Sequence, residues 1–563
     1  MNNKPMLNVY PDSMGGRLSD IAGFLERDEA EGAFGSIYIL PSLYHSDLDR
    51  GFSVISYDLN KIYASRDDIE RLKASGLELK LDFVLNHISV LSPQFQDLVK
   101  NGDKSGYRDF FINWNEFWEG MGEMTDGGYI QPDEKYISKM FFRKPGLPIL
   151  MIRFPDGKEV PYWNTFYQKV EYTVPDPREL MEACGLQYGQ ALSVSNAISD
   201  HLREGRKPAD MDFDVLDEEE CGRVIGWMES HRSYLGQMDV NIKSELVWKF
   251  YDEVLDTLAG YGTTIVRLDA FGYASKIPGR KNFMNDPETW DILERIRLMA
   301  ESKGITLLPE IHDAYEERKY IELAKRKYLS YDFFLPGLLI DAIEFHESSY
   351  LVKWANEQIE NGIHSVNMLG CHDGIPMLDL KGLVPDDRIQ ELIDLIVSRG
   401  GLIKNLHGKK NMYYQVNATY YSALGADDRK MLLARAIQLF MPGKPQVWYL
   451  DLFAGENDWE AVERYGEDGH KEINRTNLSN EEIEERLGRA VVRDQLALLK
   501  MRSDSGAFDE GARISITAPE PGMIEMEWHN GEKTAKLSAD LNTYAFSVRA
   551  DMPDGETFEY NQE

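Results

Sequence analysis

Apolar, strand-length runs alternate with helical segments along most of this chain, and that alternation restricts the fold more than any other feature. Ser36-Ile37-Tyr38-Ile39-Leu40 is one such run, ended by Pro41. Ser65-Arg66-Asp67-Asp68 starts a helix, with Ser65 placed to cap and Asp68 at the third helical position. That helix runs to about residue 75, where Gly76 suits a left-handed stop. Residues 77–85 then read as a strand ending at Asn86-His87. Strand, helix, strand in that order predicts parallel pairing. The pattern resumes with a helix over 245–258, a strand around Ile265, a helix over 287–302 and a strand over 305–308. Short strands at 6–10, 331–334, 365–369 and 446–449 bring the count to eight. The fold class is therefore α/β, a (β/α)8 barrel with insertions.

Two stretches interrupt the barrel, which occupies residues 1–88, 243–373 and 426–510. Residues 89–242 are far longer than a βα loop and predict a large inserted domain. Within it the acidic run 210–220 reads as solvated surface. Residues 374–425 form a smaller second insertion. From 511 to 563 the period changes to two, which predicts a C-terminal antiparallel β domain. Asn530-Gly531 within it reads as a type I′ hairpin turn.

The formal charge of −33 argues against nucleic acid or an anionic membrane as partner, since both need a basic face. Cys184, Cys221 and Cys371, with no CxxC among them, make neither a disulfide framework nor a zinc site. No apolar leader or membrane-length run is present, so a cytoplasmic location is expected.

The chemistry lies at the strand ends. In Thr263-Thr264-Ile265-Val266-Arg267-Leu268-Asp269 a charged pair closes an apolar strand. A buried carboxylate needs a partner. Arg267 has the same side-chain parity as Asp269 and is expected to hold it ionised, with a lowered pKa. A purely structural ion pair is the competing reading of this strand by itself. Three more strands end alike: at Asn86-His87, at Pro309-Glu310-Ile311-His312 and at Cys371-His372-Asp373. Barrel active sites lie at the C-terminal strand ends, so the four ends meet at one mouth. Asp269, Glu310 and Asp373 then stand with His87, His372 and Arg267. Glycosidic bonds are broken by such carboxylates, one as nucleophile and one as proton donor. Metal binding competes, because Asp, Glu and His are also ligands. The HExxH and EF-hand patterns are absent, so neither a metal nor a cofactor is expected.

Four stretches resemble the signatures of the α-amylase superfamily. They are Asp82-Phe83-Val84-Leu85-Asn86-His87, Val266-Arg267-Leu268-Asp269, Leu308-Pro309-Glu310 and Cys371-His372-Asp373. The resemblance implies Asp269 as nucleophile, Glu310 as general acid/base and Asp373 as transition-state stabiliser. It puts His87, Arg267 and His372 around the glucosyl unit. Within that superfamily the chain is similar to the sucrose phosphorylases over nearly its whole length. The similarity is carried by Leu48-Asp49-Arg50-Gly51-Phe52, Asp269-Ala270-Phe271-Gly272-Tyr273, Glu310-Ile311-His312, Leu380-Lys381-Gly382-Leu383-Val384-Pro385-Asp386, the run 414–424 and Ile473-Asn474-Arg475. It implies that Asp49 and Arg475 grip the glucosyl unit beside Phe52. Tyr273, His312 and Gln415 would face the acceptor, where fructose and phosphate alternate, and Arg143 and Lys144 are further cations for phosphate. The small insertion 374–425 would shape that acceptor site.

The family's Tyr-Arg-Pro-Arg is replaced here by Phe141-Phe142-Arg143-Lys144, and its Asp-Leu by Met412-Tyr413. Both loops border the acceptor. Residues 176–233 form an extra segment without a recognised counterpart. The expected reaction is sucrose plus phosphate to α-glucose 1-phosphate and fructose, with small molecules as the partners. Sucrose 6′-phosphate, glucosylglycerol and glucosylglycerate are alternative donors, and His312 favours sucrose. A hydrolase or transglucosidase with the same donor side, and an inactive barrel used for interaction, are the other readings. Oligomeric state stays open, a homodimer being one option.

Overall fold

The computed structural model describes residues 2–140, 142, 146–405 and 413–563. Eight strands form one sheet: β1 Met6–Val9, β2 Ser36–Ile39, β3 Glu78–Val84, β4 Thr263–Asp269, β5 Thr306–Pro309, β6 Ser330–Asp332, β7 Ser365–Met368 and β8 Lys444–Trp448. Their order is β5-β4-β3-β2-β1-β8-β7-β6, and each adjacent pair runs parallel. The two end strands are consecutive in the chain, so this is the cyclic order of a (β/α)8 barrel. Every residue of β1, β2 and β7 is buried. Helices cover the outside while side chains fill the inside, which is why these strands read as continuous apolar runs.

The helix after β2 spans Arg66–Ala74, with Ser65 and Asp68 capping each other reciprocally. Gly76 takes the left-handed conformation, φ 77°. β6 ends sooner than its apolar run suggests. The Asp332 carboxylate accepts from the N–H groups of Phe334 and Leu335 at 3.2 and 3.0 Å. That starts the helix Leu335–Phe345 and takes Phe333 and Phe334 out of the strand.

The chain divides into two compact units, one of residues 1–86, 139–141 and 248–563 and the other of residues 87–138 and 142–247. The second contains a three-stranded sheet of His87–Ser89, Gln168–Glu171 and Ser233–Asp239. Helices Pro177–Cys184, Tyr188–Arg203 and Glu218–Ser230 bury a core of their own around Leu180, Val194, Ile198, Val224 and Met228. The acidic run keeps Asp210, Asp212 and Asp214 exposed but turns Met211 and Phe213 into that core.

The first unit includes a five-stranded antiparallel C-terminal sheet from Arg513 to Gln562. Its hairpin turn differs from expectation by one residue. Asn530 pairs with Lys533, so Gly531-Glu532 form the loop. Gly531 has positive φ, 61°, and a glycine first in a two-residue loop makes a type II′ turn, not I′. Among the described residues no helix is long and apolar enough to cross a membrane.

Candidate active site

Strand register sets the centre of the site. Arg267 of β4 lies opposite Asp82 of β3 and Leu308 of β5. Its guanidinium meets three carboxylates: Asp82 at 2.5 Å, Asp269 at 3.0 Å and Glu310 at 2.7 Å. Glu310 follows β5 directly and its N–H donates to the Leu268 carbonyl, 3.2 Å. Past Asp269 the chain turns sharply, with Ala270 in the left-handed region at φ 54°. Strain of that kind is kept where the surroundings impose it, often at working sites.

The electrostatics correct one expectation. Burial pushes the Asp269 carboxyl well above the usual range, with Glu310 and Asp82 adding to it, and Arg267 offsets this only in part. Glu310 is equally buried, but Arg267 and His312 outweigh burial and hold it below that range. Arg267 does lower Asp269 as its parity suggested, but burial, with Glu310 and Asp82 added to it, outweighs that one cation. Two carboxyls sharing a cation titrate as a pair.

The loop after β7 brings Cys371, His372 and Asp373. Asn474 Nδ2 clamps it by donating to the Cys371 and Asp373 carbonyls at 2.9 and 2.8 Å. Arg475 Nε donates to the His372 carbonyl at 2.7 Å. The His372 ring stacks on Phe52 at 5.1 Å between centroids, and the Arg267 guanidinium also lies over Phe52, 5.4 Å from its centroid. Burial pulls His372 down to about 3, so it is a neutral imidazole. Asp49 sits on a turn where Asp49, Arg50 and Gly51 all have positive φ. At Gly51 a Cβ would fall 2.1 Å from the Ser42 nitrogen, so only glycine fits there. Arg50 ties this turn down through the Arg475 carbonyl at 2.7 Å and Asp12 at 3.2 Å.

Lys471 joins the two halves of this group. Its Nζ lies 2.9 Å from Asp49 and 3.2 Å from Asp373, and Arg475 stands 3.5 and 3.8 Å from the same carboxylates. Burial pushes Asp49 up, but Lys471 and Arg475 outweigh it and hold the carboxyl below its ordinary value.

On the acceptor side, His312 stacks on Phe333 at 3.7 Å. Burial pulls its pKa down, but Asp379 and Glu310 push it up to about 10, so it is an imidazolium. Gln415 is buried on strand Tyr413–Asn417, opposite Pro376 of the loop after Asp373, and donates to Asn417 at 3.1 Å. Tyr273 lies on the turn Phe271–Tyr273 with its ring 4.9 Å from Phe283. Arg267, Glu310, His312, His372 and Asp373 line one pocket.

Of the residues singled out in the sequence, eleven thus belong to the barrel unit. His87 belongs to the second unit, where it opens the strand His87–Ser89 and packs on Phe166 at 4.8 Å. Arg143 and Lys144 lie outside the described residues. The sequence reading missed the roles of Asp82, Lys471 and Asp379. A carboxylate inside the apolar run of β3 was the one local sign of Asp82. Lys471 stands four residues before Arg475, with nothing local to mark it.

No family model matches the chain. It is 48% identical over 555 residues to the sucrose 6(F)-phosphate phosphorylase of Ilumatobacter coccineus, covering 97% of this chain and 95% of that one. The chain belongs to the sucrose phosphorylase family. The solved sucrose 6F-phosphate phosphorylase from Thermoanaerobacter thermosaccharolyticum superposes on it with a TM-score of 0.81 at 32% identity, covering 100% of this chain and 98% of that one. The sucrose phosphorylase of Streptococcus mutans is 29% identical over 97% of each chain. Like its family, the chain is an α/β-barrel enzyme acting on small molecules.

Proposed function

We propose that this enzyme is a retaining phosphorylase of sucrose-type donors, and that its donor is sucrose 6(F)-phosphate. The observation that carries the reaction type is the single guanidinium of Arg267, bonded at once to Asp269 and Glu310. In the first displacement the Asp269 carboxylate attacks the anomeric carbon. The bond to the fructosyl oxygen breaks, and that oxygen takes the proton of Glu310. In the second, a phosphate oxygen attacks the same carbon and the ester to Asp269 breaks. The phosphate proton passes to the Glu310 carboxylate, and α-glucose 1-phosphate leaves. Two inversions retain configuration. The proton given up at the first step stands on Glu310, and positive charge growing at the anomeric carbon favours the ionised Asp269. Asp373 would face the same charge, with Asp49, Arg475, His372 and Phe52 around the glucosyl unit.

The acceptor assignment has different support. Departures from the sucrose phosphorylases fall on the two acceptor loops, while the donor-side residues match. The relative at 48% identity and the solved structure at TM-score 0.81 are both named for a donor phosphorylated on fructose. Unphosphorylated sucrose is the second reading, favoured by His312. The test is glucose 1-phosphate formation from sucrose, sucrose 6(F)-phosphate, glucosylglycerol and glucosylglycerate with phosphate. A kcat/KM for sucrose above that for sucrose 6(F)-phosphate overturns the donor assignment. Free glucose as the main product at saturating phosphate overturns the reaction type.

A further inference from the structure

Asp379 lies on the turn Leu378–Leu380, 1% exposed, behind the ring of His312. Its Oδ2 is 3.4 Å from His312 Nδ1, while Nε2 on the far side of the ring is 3.5 Å from Glu310 Oε1. The reaction above uses Glu310, but neither His312 nor Asp379 has a part in it yet. We propose that Asp379 is a positioning residue that keeps His312 doubly protonated and facing the acceptor, and thereby decides that phosphate rather than water takes the glucosyl unit. The proposal rests on the phosphorylase reading.

An ionised carboxylate only accepts hydrogen bonds, and a neutral imidazole has one N–H. A ring placed between two carboxylate oxygens can serve both only as imidazolium. Phe333 stacked on its face, 23° from parallel, stops the ring from turning away. The charged groups around it come from several elements. Glu310 follows β5, Asp379 comes from the loop after β7, Arg267 of β4 is paired with Glu310, and Asp373 lines the same pocket and pushes the Glu310 carboxyl up. Asp313, the next residue along the chain from His312, is pushed by burial to about 6 and also feels Asp379. Burial alone would strip His312 of its proton; Asp379 is the largest influence keeping it, and Glu310 comes second.

The consequence is selective. Phosphate is an anion, and a chain of net charge −33 repels it. A fixed imidazolium beside the general base supplies the local attraction. Water is neutral and gains little from that charge. Asp379 is buried behind the ring, so its effect on either acceptor passes through His312.

The test compares the parent with Asp379→Asn and Asp379→Glu. Rates of glucose 1-phosphate and glucose formation from one donor are followed against phosphate concentration and pH. Asp379→Asn is expected to raise the phosphate KM about tenfold, the loss of one charge-assisted hydrogen bond, while hydrolysis changes less. The deficit should grow with pH, because His312 without Asp379 loses its proton nearer the ordinary value of about 6.5. Asp379→Glu should recover part of the ratio. Equal falls in both products would mean a structural role and overturn the proposal, as would an unchanged phosphate KM in an active variant. Should Asp379→Asn not fold, the parent decides. Its phosphate KM, corrected for the titration of phosphate itself, should stay flat up to about pH 9, and a rise centred near about 6.5 overturns the proposal. A parent that yields free glucose instead removes the phosphorylase reading as well. A parent that makes glucose 1-phosphate beside an unaffected variant removes this inference alone.

Discussion

Arg267→Met takes away the cation that meets Asp82, Asp269 and Glu310 together. The Arg267 and Asp82 side chains are 3% and 0% exposed, so water cannot replace the lost partner. Asp269 and Glu310 are each 14% exposed, and Glu310 keeps His312, so the penalty falls mostly on Asp82. Breaking one buried pair from one side costs about 3–5 kcal/mol. Unfolding entropy near 2 cal/mol/K per residue over 563 residues is about 1.2 kcal/mol/K, so Tm should fall by about 3–4 °C near neutral pH. The sign with pH follows from the carboxylates. Burial already raises Asp82 and Asp269, and without Arg267 they rise further. A group with a raised folded pKa contributes stability that is present below its unfolded pKa and lost as pH rises through the folded value. Glu310 in the parent is lowered, so the parent loses that contribution on acidification. Both effects narrow the gap at low pH. Thermal melts of both proteins followed by circular dichroism at about pH 7.5 and about pH 5 measure it. A shift under about 1 °C at the higher pH, or a gap that widens at the lower, refutes the shared-cation account.

Asp269→Asn should lower kcat by about ten-thousand-fold or more with Tm kept, because the covalent route is closed. Activity within about tenfold of the parent would remove Asp269 as nucleophile. Lys471→Met should cut kcat/KM for the donor roughly 10- to 100-fold, with Lys471→Arg recovering most of it, since Asp49 and Asp373 lose a charged partner; equal values for Met and parent would confine Lys471 to the surface. Arg143→Ala with Lys144→Ala should raise the phosphate KM by about tenfold and leave hydrolysis of the same donor less affected. Equal losses in the two reactions would take both residues out of the phosphate site.

The barrel was legible because its strands are buried on both faces and its helices carry local caps. Ser65, Asp68 and Gly76 act within one turn of chain, so their pattern survives in the sequence. The same holds for the charged residues that close β4, β5 and β7, since a carboxylate ending an apolar strand needs a reason to be there. Where local chemistry is ambiguous the reading slipped: the carboxylate of Asp332 shortened β6, and Asn530 joined its strand instead of the turn. The partners of each charge were not legible. Arg267 pairs with Asp82 185 residues away, Lys471 with Asp49 422 residues away, and His312 with Asp379 67 residues away. Such pairs depend on strand register and on where loops return, and neither leaves a mark in the neighbouring residues. The protonation states changed for the same reason. From sequence, Arg267 had one carboxylate to serve and would lower it. In the fold it has three, burial opposes it at each, and His312 receives the charge that Asp379 and Glu310 hold for it. The sequence alone therefore determined the barrel, the strand-end carboxylates and the family. Tertiary structure decided which cation each carboxylate shares and in which direction each group is shifted, because electrostatic energy depends on distance and burial, and only the packed barrel sets those.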